Sequence, residues 1–424
     1  MWAILEGEGH FSLWQHCVMV FGSKAAVWAY NRVGDAIIFL FRVLFFGMCF
    51  HYVDDYGGVE PEELAESAFI AFKSFSTMLG FKIKETKEQP PDSSQIMLGV
   101  CTTITTDHFI TEILETRRKQ MITDIVNMHK NQMVTSKQGQ TLAGKSVFTN
   151  ASTFGALGAA ALRPLYRRAS YGGSDIDTDI DASLHMITFL LNFAPPKVTP
   201  LAPPESAAPM MYADAYYTCR GVTKKISEFT DILDFSDPSA TSGWGTVIIS
   251  GDQMWHFSGT VPDEVFKIIK KKKTYIFILE IIAQCMGVWF MAPELGPNFW
   301  AFVDNVGAEF ALRKGFSRDR DANAVISLFW AAAAISDVRP WFERVPSKAQ
   351  LADEVSRGDD TLLRNLGSRR MDFNYDKTWS IIIDMVLKGG LADPSACTEL
   401  LTSISLQRVR LDLPKLDSDG MVLK

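Results

Sequence analysis

The stretch Met210-Met-Tyr-Ala-Asp214-Ala-Tyr-Tyr-Thr218 decides the fold, because it places one acidic residue inside an apolar, strand-like run. A carboxylate in such a run is rarely left unpaired, since its desolvation is costly. The alternative is a strand that ends early and leaves Asp214 in a turn. The pattern downstream predicts strands at 245–250, 254–257 and 299–303 and helices at 275–290 and 322–336. Strands followed by helix, strand and helix favour an α/β layer domain with a mixed sheet.

Three further acidic residues follow at positions where a residue that only packs in the core would be apolar. Glu280 interrupts the apolar helix Ile278-Leu-Glu-Ile-Ile-Ala283, Asp304 ends the strand at 299–303, and Asp353 lies in a late acidic segment. Each has a simple structural alternative. Glu280 could face solvent near a helix N-terminus, Asp304 could cap a helix, and Asp353 could be an ordinary acid in a first helical turn.

A strand Asp, a helix Glu, a strand-end Asp and a late Asp, in that order, resemble the catalytic quartet of type 1 ribonucleases H. Ser242-Gly-Trp-Gly245, Trp255-His-Phe257 and the segment from Trp341 are similar to the second, third and last strands of that family. The resemblance covers about residues 207–360. It implies an RNase H-like mixed five-stranded sheet with flanking helices and catalytic roles for Asp214, Glu280, Asp304 and Asp353. The chain departs from the family by an insertion at 219–241 and by lacking a histidine before the fourth acid.

The chemistry that this quartet implies follows from its charge. Four converging carboxylates repel one another at neutral pH unless cations lie among them. The resemblance implies two Mg²⁺ ions per site, with Mn²⁺ as an alternative, held by Asp214, Glu280, Asp304 and Asp353. One ion would activate the attacking water and the other would stabilise the leaving 3′-oxygen of the RNA strand. The expected partner is an RNA–DNA hybrid, recognised through 2′-hydroxyl groups in its minor groove.

A second acidic motif, Tyr52-Val53-Asp54-Asp55, follows an apolar run and precedes Tyr-Gly-Gly. It predicts a tight turn between two strands with carboxylates that could hold Mg²⁺, although most such dipeptides are plain surface turns. With Phe21-Gly22 upstream and Lys87 downstream, it resembles the catalytic turn of reverse transcriptases. The resemblance covers about residues 10–170, and pieces at 142–145 and 162–168 are similar to the thumb of DIRS-like retroelements. It implies a DNA or RNA template–primer as partner.

One metal-binding residue of the reverse-transcriptase site is missing from this sequence. The family needs a further aspartate from an earlier strand, and only Glu6 and Glu8 precede Phe21. Asp54 and Asp55 would therefore form an incomplete two-metal site. An upstream segment of a polyprotein would be needed to restore it.

The predicted organisation has five parts. A proline-rich stretch, with six prolines in sixteen residues, cannot form a helix or a central strand and reads as a semi-rigid linker. The parts are a truncated α+β reverse-transcriptase palm (1–100), a mostly helical thumb or connection (101–193), the linker (194–209), the RNase H-like domain (210–365) and a C-terminal extension (366–424).

Composition excludes several classes of protein. Of 424 residues, 47% are hydrophobic and 21% charged, which excludes wholesale disorder. Six scattered cysteines without a CxxC pair exclude a zinc ribbon or disulfide framework. The acidic N-terminus is unlike a signal peptide, and Glu280 and Gln284 interrupt the longest apolar stretch, so we expect an intracellular protein without a membrane partner.

The formal net charge of −7 argues against a protein that coats nucleic acid, unless the acids bind metal ions. Basic residues gather in two places, Lys270, Lys271 and Lys272 before the Glu280 helix and Arg313 and Lys314 after Asp304. Either patch could bind phosphates or form a solvated surface.

These patterns leave two hypotheses. The first is a retroelement reverse transcriptase/RNase H fragment that cuts the RNA strand of hybrids. The second is an inactive relic that at most binds nucleic acid. They differ in whether the four acids of the quartet converge in space.

Overall fold

The computed structural model describes residues 2–7, 10–15, 23–149, 156, 158–194, 196–202, 207–218, 241–269 and 275–390, with side chains from Ser23 onward. The chain divides into two compact units, Met1–Gln95 and Ile96–Lys424. Each unit is described by itself.

The first unit pairs two helices with a short hairpin. Its elements are β1 (Trp2–Gly7), β2 (His10–Gln15), α1 (Lys24–Phe45), β3 (Cys49–Tyr52), β4 (Asp55–Gly58) and α2 (Glu62–Met78). Its small core contains Phe41 from α1, Cys49 from β3 and Phe75 from α2. The Phe41 ring meets the Phe72 ring edge to face at 5.1 Å, so aromatic contacts join α1 and α2.

A four-stranded sheet and four helices come next along the chain. They are β5 (Ser94–Met97), β6 (Val100–Ile104), β7 (His108–Ile113), α3 (Glu115–Lys130), α4 (Ser136–Thr149), α5 (Leu162–Tyr171), α6 (Thr178–Phe193) and β8 (Lys197–Pro200), with sheet order β5-β6-β7-β8. The segment 101–193, predicted to be mostly helical, contains α3 to α6 but begins with the strands β6 and β7. Residues 100–113 form a hairpin, which the β-branched residues of this stretch favour.

Part of the predicted linker is a strand. Residues 197–200 form β8, which pairs antiparallel with β7 at the edge of the four-stranded sheet. Proline is tolerated at a sheet edge because its missing N–H group need not pair there. The prolines thus exclude a central strand, as expected, but not an edge strand.

The rest of the described chain is mixed α/β. Its elements are β9 (Met210–Thr218), β10 (Thr241–Ser250), β11 (Gln253–Thr260), α7 (Asp263–Ile268), α8 (Ile276–Leu295), β12 (Asn298–Val303), α9 (Val306–Lys314), α10 (Arg320–Ile335), β13 (Arg339–Arg344), α11 (Ala352–Ser356), α12 (Thr361–Asn365), β14 (Arg369–Arg370) and α13 (Asp376–Lys388). The sheet order is β13-β12-β9-β10-β11-β14. β9, β10 and β11 are antiparallel neighbours, and β12 runs parallel to β9 and β13. The sheet has six strands rather than the predicted five, the sixth being the two-residue β14.

Helix α8 is the centre of this unit. It packs on β9, β10 and α10, and Leu279, Ile282 and Val288 are fully buried. In the described part of the chain, α8 is the one helix that is long and apolar enough to cross a membrane. Of its most apolar stretch, 83% is buried inside the protein. Burial on several sides at once explains why its sequence is apolar around the whole helix.

The described part of the C-terminal extension joins the same core. Trp379, Ile382 and Met385 of α13 are buried in the cluster that contains the α8 side chains. β14 pairs with β11 in parallel. Residues 366–390 therefore help to complete the α/β unit.

A buried polar network attaches this last segment to the sheet. The His256 imidazole on β11 donates from Nε2 to Asp360 Oδ2 (3.3 Å), and its Nδ1 forms a hydrogen bond with the Ser368 hydroxyl (2.8 Å). Arg364 and Arg370 also donate to the Asp360 carboxylate. Burial raises the pKa of Asp360, but the hydrogen bonds from Arg364 and His256 outweigh it and the pKa is lowered overall. One carboxylate thus holds α12, β11 and β14 together.

Replacing Asp360 with Ala is expected to lower the free energy of unfolding by roughly 3 kcal/mol. His256 would be left with a buried donor that lacks its partner, and such losses are costly. Urea denaturation of the full chain measures the change. Asp372→Ala is the matched control, because Asp372 is an exposed partner of Arg370 and should matter by less than about 1 kcal/mol. Equal effects of the two substitutions would contradict the structural role of the network.

Candidate active site

Three carboxylates from β9, α8 and β12 converge in the second unit. Asp214 lies in the middle of β9, Glu280 in the second turn of α8, and Asp304 directly after β12. One oxygen atom of each lies within 4.8 Å of the other two. The sequence predicts four acids at this site, and the structure brings these three into one group.

Strand register explains why the two aspartates meet. β12 runs parallel to β9, and Phe302 is paired with Tyr212 with their rings stacked at 4.6 Å. Two residues further along each strand, on the same face, come Asp304 and Asp214. One turn beyond Glu280, Gln284 donates from Nε2 to the Phe302 carbonyl (2.9 Å), which ties α8 to this end of β12.

The site is largely withdrawn from water. Asp214 is 4% exposed and Glu280 3% exposed, whereas Asp304 is half-buried. Burial, together with the charges of Asp304 and Asp353, raises the pKa of Asp214 to about 7. Burial, with Asp304 and Asp214, raises the pKa of Glu280 to about 9. Holding all three carboxylates ionised therefore requires compensating positive charge.

Asp353 lies beside this group rather than within it. Its carboxylate pairs with the Arg357 guanidinium at 2.8 Å, and its charge is close enough to raise the pKa of Asp214. Ser356, in the same short helix α11, donates a hydrogen bond from its hydroxyl to Asp214 Oδ2 (3.1 Å). α11 thus contacts Asp214 through Ser356 and places Asp353 next to it.

Two glycines of β10 allow the backbone of α11 to pack closely against the sheet. Gly245 is paired with Asp214, and a Cβ atom there would lie 2.6 Å from Ser356 N and 2.9 Å from Val355 C. A Cβ atom on Gly243 would collide with the Ser356 carbonyl oxygen. The Gly-Trp-Gly sequence therefore allows the close approach of backbone that brings Ser356 to Asp214.

Replacing Gly245 with Ala is expected to displace α11 and to destabilise the unit by about 2 kcal/mol, because the new methyl group meets backbone atoms. Any metal-dependent activity of this site should fall about tenfold or more, since Ser356 and Asp353 would move. Thermal unfolding and activity of the purified chain measure both effects. Gly144→Ala is the control, because a Cβ atom at this exposed position of α4 meets no atom within 4 Å. A Gly245→Ala protein indistinguishable from this control would contradict the close packing.

The simple structural roles considered for the four acids hold for Asp353 but not for the other three. Strand β9 continues to Thr218, so Asp214 is not in a turn, and the buried Glu280 does not face solvent. Asn305, rather than Asp304, caps α9 by accepting a hydrogen bond from Ala308 N. Asp353 does lie in a first helical turn, as its alternative held.

Sequence reasoning missed two polar residues of the site. Ser356 contacts Asp214, and Gln284 anchors α8 to β12. Gln284 follows Glu280 by four residues in an otherwise apolar helix, so the two lie on one face, and this spacing could have indicated it. Ser356 carried no comparable signal, since its contact depends on how α11 folds back on the sheet.

The second acidic motif forms the predicted tight turn in the first unit. Val53 and Asp54 connect β3 to β4, with Tyr52 paired to Asp55. Val53 has a φ of 54°, a conformation that a β-branched side chain rarely adopts. Asp54 is exposed and Asp55 half-buried. Among the described residues, neither belongs to a group of three or more side chains spaced to hold a metal ion.

Of the remaining predicted site residues, Lys87, Arg313 and Lys314 lie in the described part of the chain. Phe21, Gly22, Lys270, Lys271 and Lys272 lie outside the described residues. Lys87 is exposed at the end of a short 3₁₀ turn. In the last turn of α9, Arg313 pairs with Glu309 at 2.9 Å, and both Arg313 and Lys314 lie over the exposed Phe310 ring.

No family model and no curated protein matches the chain. Among solved structures, it is similar to the foamy viral protease–reverse transcriptase in complex with an RNA/DNA hybrid, with 12% sequence identity and a TM-score of 0.30. The similarity covers 85% of this chain and 64% of the viral chain. The chain thus spans a little under two thirds of the length of that protein.

The residues of the acidic group fit a divalent cation. Glu280 Oε2 is buried without a hydrogen-bond partner, and all the donors are carboxylate oxygens, the ligands that Mg²⁺ and Mn²⁺ prefer. Asp214, Glu280 and Asp304 would hold the ion or ions, with Asp353 at the margin. Such ions activate water and neutralise the charge that develops on a leaving oxygen.

Proposed function

We propose that the chain is a retroelement-type reverse transcriptase/RNase H fragment whose activity is metal-dependent hydrolysis of the RNA strand of RNA–DNA hybrids. The observation that carries the proposal is the convergence of Asp214, Glu280 and Asp304 where the end of β12 lies beside the middle of β9. Further support comes from the position of Asp353 beside Asp214.

The strand arrangement supports an RNase H-like fold for residues 210–365. Three antiparallel strands are followed by two parallel ones in the order β13-β12-β9-β10-β11, with α8 across the sheet. This order is consistent with the predicted five-stranded sheet with flanking helices, with β14 as an additional edge strand. The DIRS-like type of element stays a prediction, as do the domain boundaries.

The protein's own residues would prepare the site in four ways. Ser356 orients Asp214 through its hydroxyl, and Gln284 fixes α8, and with it Glu280, to the end of β12. The apolar surroundings of Glu280 keep it desolvated, which strengthens its interaction with a cation. Arg357, paired with Asp353 and lying over the Tyr216 ring, is a basic group beside the acids that could contact a phosphate.

Polymerisation is not part of the proposal for this chain alone. Asp54 and Asp55 lack a third carboxylate among the described residues. An upstream polyprotein segment could supply it, so template–primer binding by the first unit stays a prediction.

A substrate panel tests the proposed function. The full chain is incubated with Mg²⁺ and an end-labelled RNA strand, presented as an RNA–DNA hybrid, as an RNA duplex or as a single strand. We expect cleavage of the hybrid and little or no cleavage of the other two, because the hybrid differs from them in shape and in 2′-hydroxyl content. Binding of the hybrid without any cleavage would favour the inactive relic instead.

A further inference from the structure

A second cluster of ligating side chains lies far from the acidic site in sequence. His129 is in the last turn of α3, and Asp181 and His185 lie one turn apart on α6. His129 Nδ1 is 3.5 Å from Asp181 Oδ1, and His185 Nε2 is 3.6 Å from the same oxygen. One ligating atom of each residue lies within 4.8 Å of the other two.

These distances suit a shared metal ion better than hydrogen bonds. Both exceed the usual range for a hydrogen bond between a ring nitrogen and a carboxylate. Two ligands about 2.0–2.1 Å from a tetrahedral zinc ion lie about 3.3 Å apart, which is close to the observed separations. The i, i+4 spacing of Asp181 and His185 places both side chains on one face of α6, toward His129.

The cluster is accessible to an ion. The three side chains remain partly exposed, between 21% and 37%, so an ion can enter from solvent.

We propose that His129, Asp181 and His185 bind one divalent first-row transition metal ion, of the zinc class, between α3 and α6. Two imidazoles and one carboxylate favour such an ion over Mg²⁺, which prefers oxygen ligands. Three protein ligands leave one position of a tetrahedral ion for water.

The ion would join the last turn of α3 to the first two turns of α6. Val134 N, four residues after the end of α3, donates to the Ser174 carbonyl before α6, and Met133 forms an isolated β-bridge with Asp175. A metal bridge beyond this short connection would stabilise the packing of α3 on α6.

Zinc titration of the metal-stripped full chain tests the proposal. Calorimetry is run with excess Mg²⁺, which competes for the acidic site, on the wild type and on His129→Gln, His185→Gln and Asp214→Asn. We expect one Zn²⁺ site in the wild type and in Asp214→Asn. The two histidine variants should bind at least about tenfold more weakly, since even outer-shell partners of metal ligands contribute that much. His108→Gln, an exposed histidine on β7, is the matched control and should bind as the wild type does.

Two further measurements keep the result interpretable. Circular dichroism without metal checks that each variant is folded, and because the histidines lie on different helices, one folded variant is sufficient. Co²⁺ added to the wild type should give the visible absorption of a four-coordinate site. Unchanged zinc affinity in a folded histidine variant, or no zinc binding by the wild type, would overturn the proposal.

Discussion

Replacing Asp214 with Asn should reduce cleavage of the RNA strand of a hybrid by at least about a thousandfold. Asp214 is central in the acidic group, where it accepts from Ser356 and lies within 4.8 Å of a Glu280 and an Asp304 oxygen. An amide of the same shape removes one negative charge from the cation site, and groups of this kind typically supply several orders of magnitude in rate. The measurement is the rate of cleavage at saturating Mg²⁺.

The control for this substitution is Asp252→Asn, in the exposed turn between β10 and β11, which should cleave at the wild-type rate. Loss of activity through misfolding is distinguished by thermal unfolding. Asp214→Asn should be at least as stable as the wild type in the absence of metal, because it removes a buried charge. A folded Asp214→Asn protein that retains a tenth or more of the activity would contradict the assigned role.

The metal-free protein should lose stability as the pH rises from about 4 to about 9. Folding raises the pKa of Asp214 from 3.8 to about 7 and that of Glu280 from 4.5 to about 9. Over this interval the folded state binds more protons than the unfolded state, so the free energy of unfolding falls with pH. The loss for Asp214 alone is roughly 4 kcal/mol, at about 1.4 kcal/mol for each unit of pKa. The contribution of the protonated carboxyl groups to stability is fully present below pH 4. It is lost as the pH rises through their pKa values in the folded state.

Urea denaturation at about pH 5 and about pH 9, with and without Mg²⁺, measures this dependence. Bound Mg²⁺ favours the ionised carboxylates and should remove most of the slope. Glu280→Gln should flatten the slope of the metal-free protein, whereas Glu264→Gln, at an exposed site on α7, should leave it unchanged. Stability that rises with pH over this interval in the metal-free protein would show that the carboxylates are not held in the buried arrangement.

Much of the α/β unit could be predicted because its local patterns are strong. The predicted bounds of the strand around Asp214, of the largely apolar α8 and of the strand before Asp304 are close to the observed ones. Three of the four predicted acids lie together in the structure, and the roles of all four stay predictions. The β6–β7 hairpin and the edge strand β8 were missed, because threonine-rich and proline-rich stretches carry weak periodicity and depend on neighbouring strands.

The remaining features depend on contacts between distant residues. The pairing of Phe302 with Tyr212, which aligns the two aspartates, is a matter of register between strands that are not consecutive in sequence. Helix α11 packs closely on Gly243 and Gly245, which lie far from it along the chain. His129 likewise lies near His185, on a different helix. Such contacts follow from tertiary packing and leave little trace in a local pattern.

The most direct test of the central claim is cleavage of a hybrid whose RNA and DNA strands carry different end labels. The full wild-type chain is compared over a Mg²⁺ titration with Asp214→Asn. The predicted result is wild-type cleavage of the RNA strand alone, absent without Mg²⁺ and lost in the variant. No cleavage by a folded, Mg²⁺-binding wild type, or equal cleavage by both proteins, would contradict it.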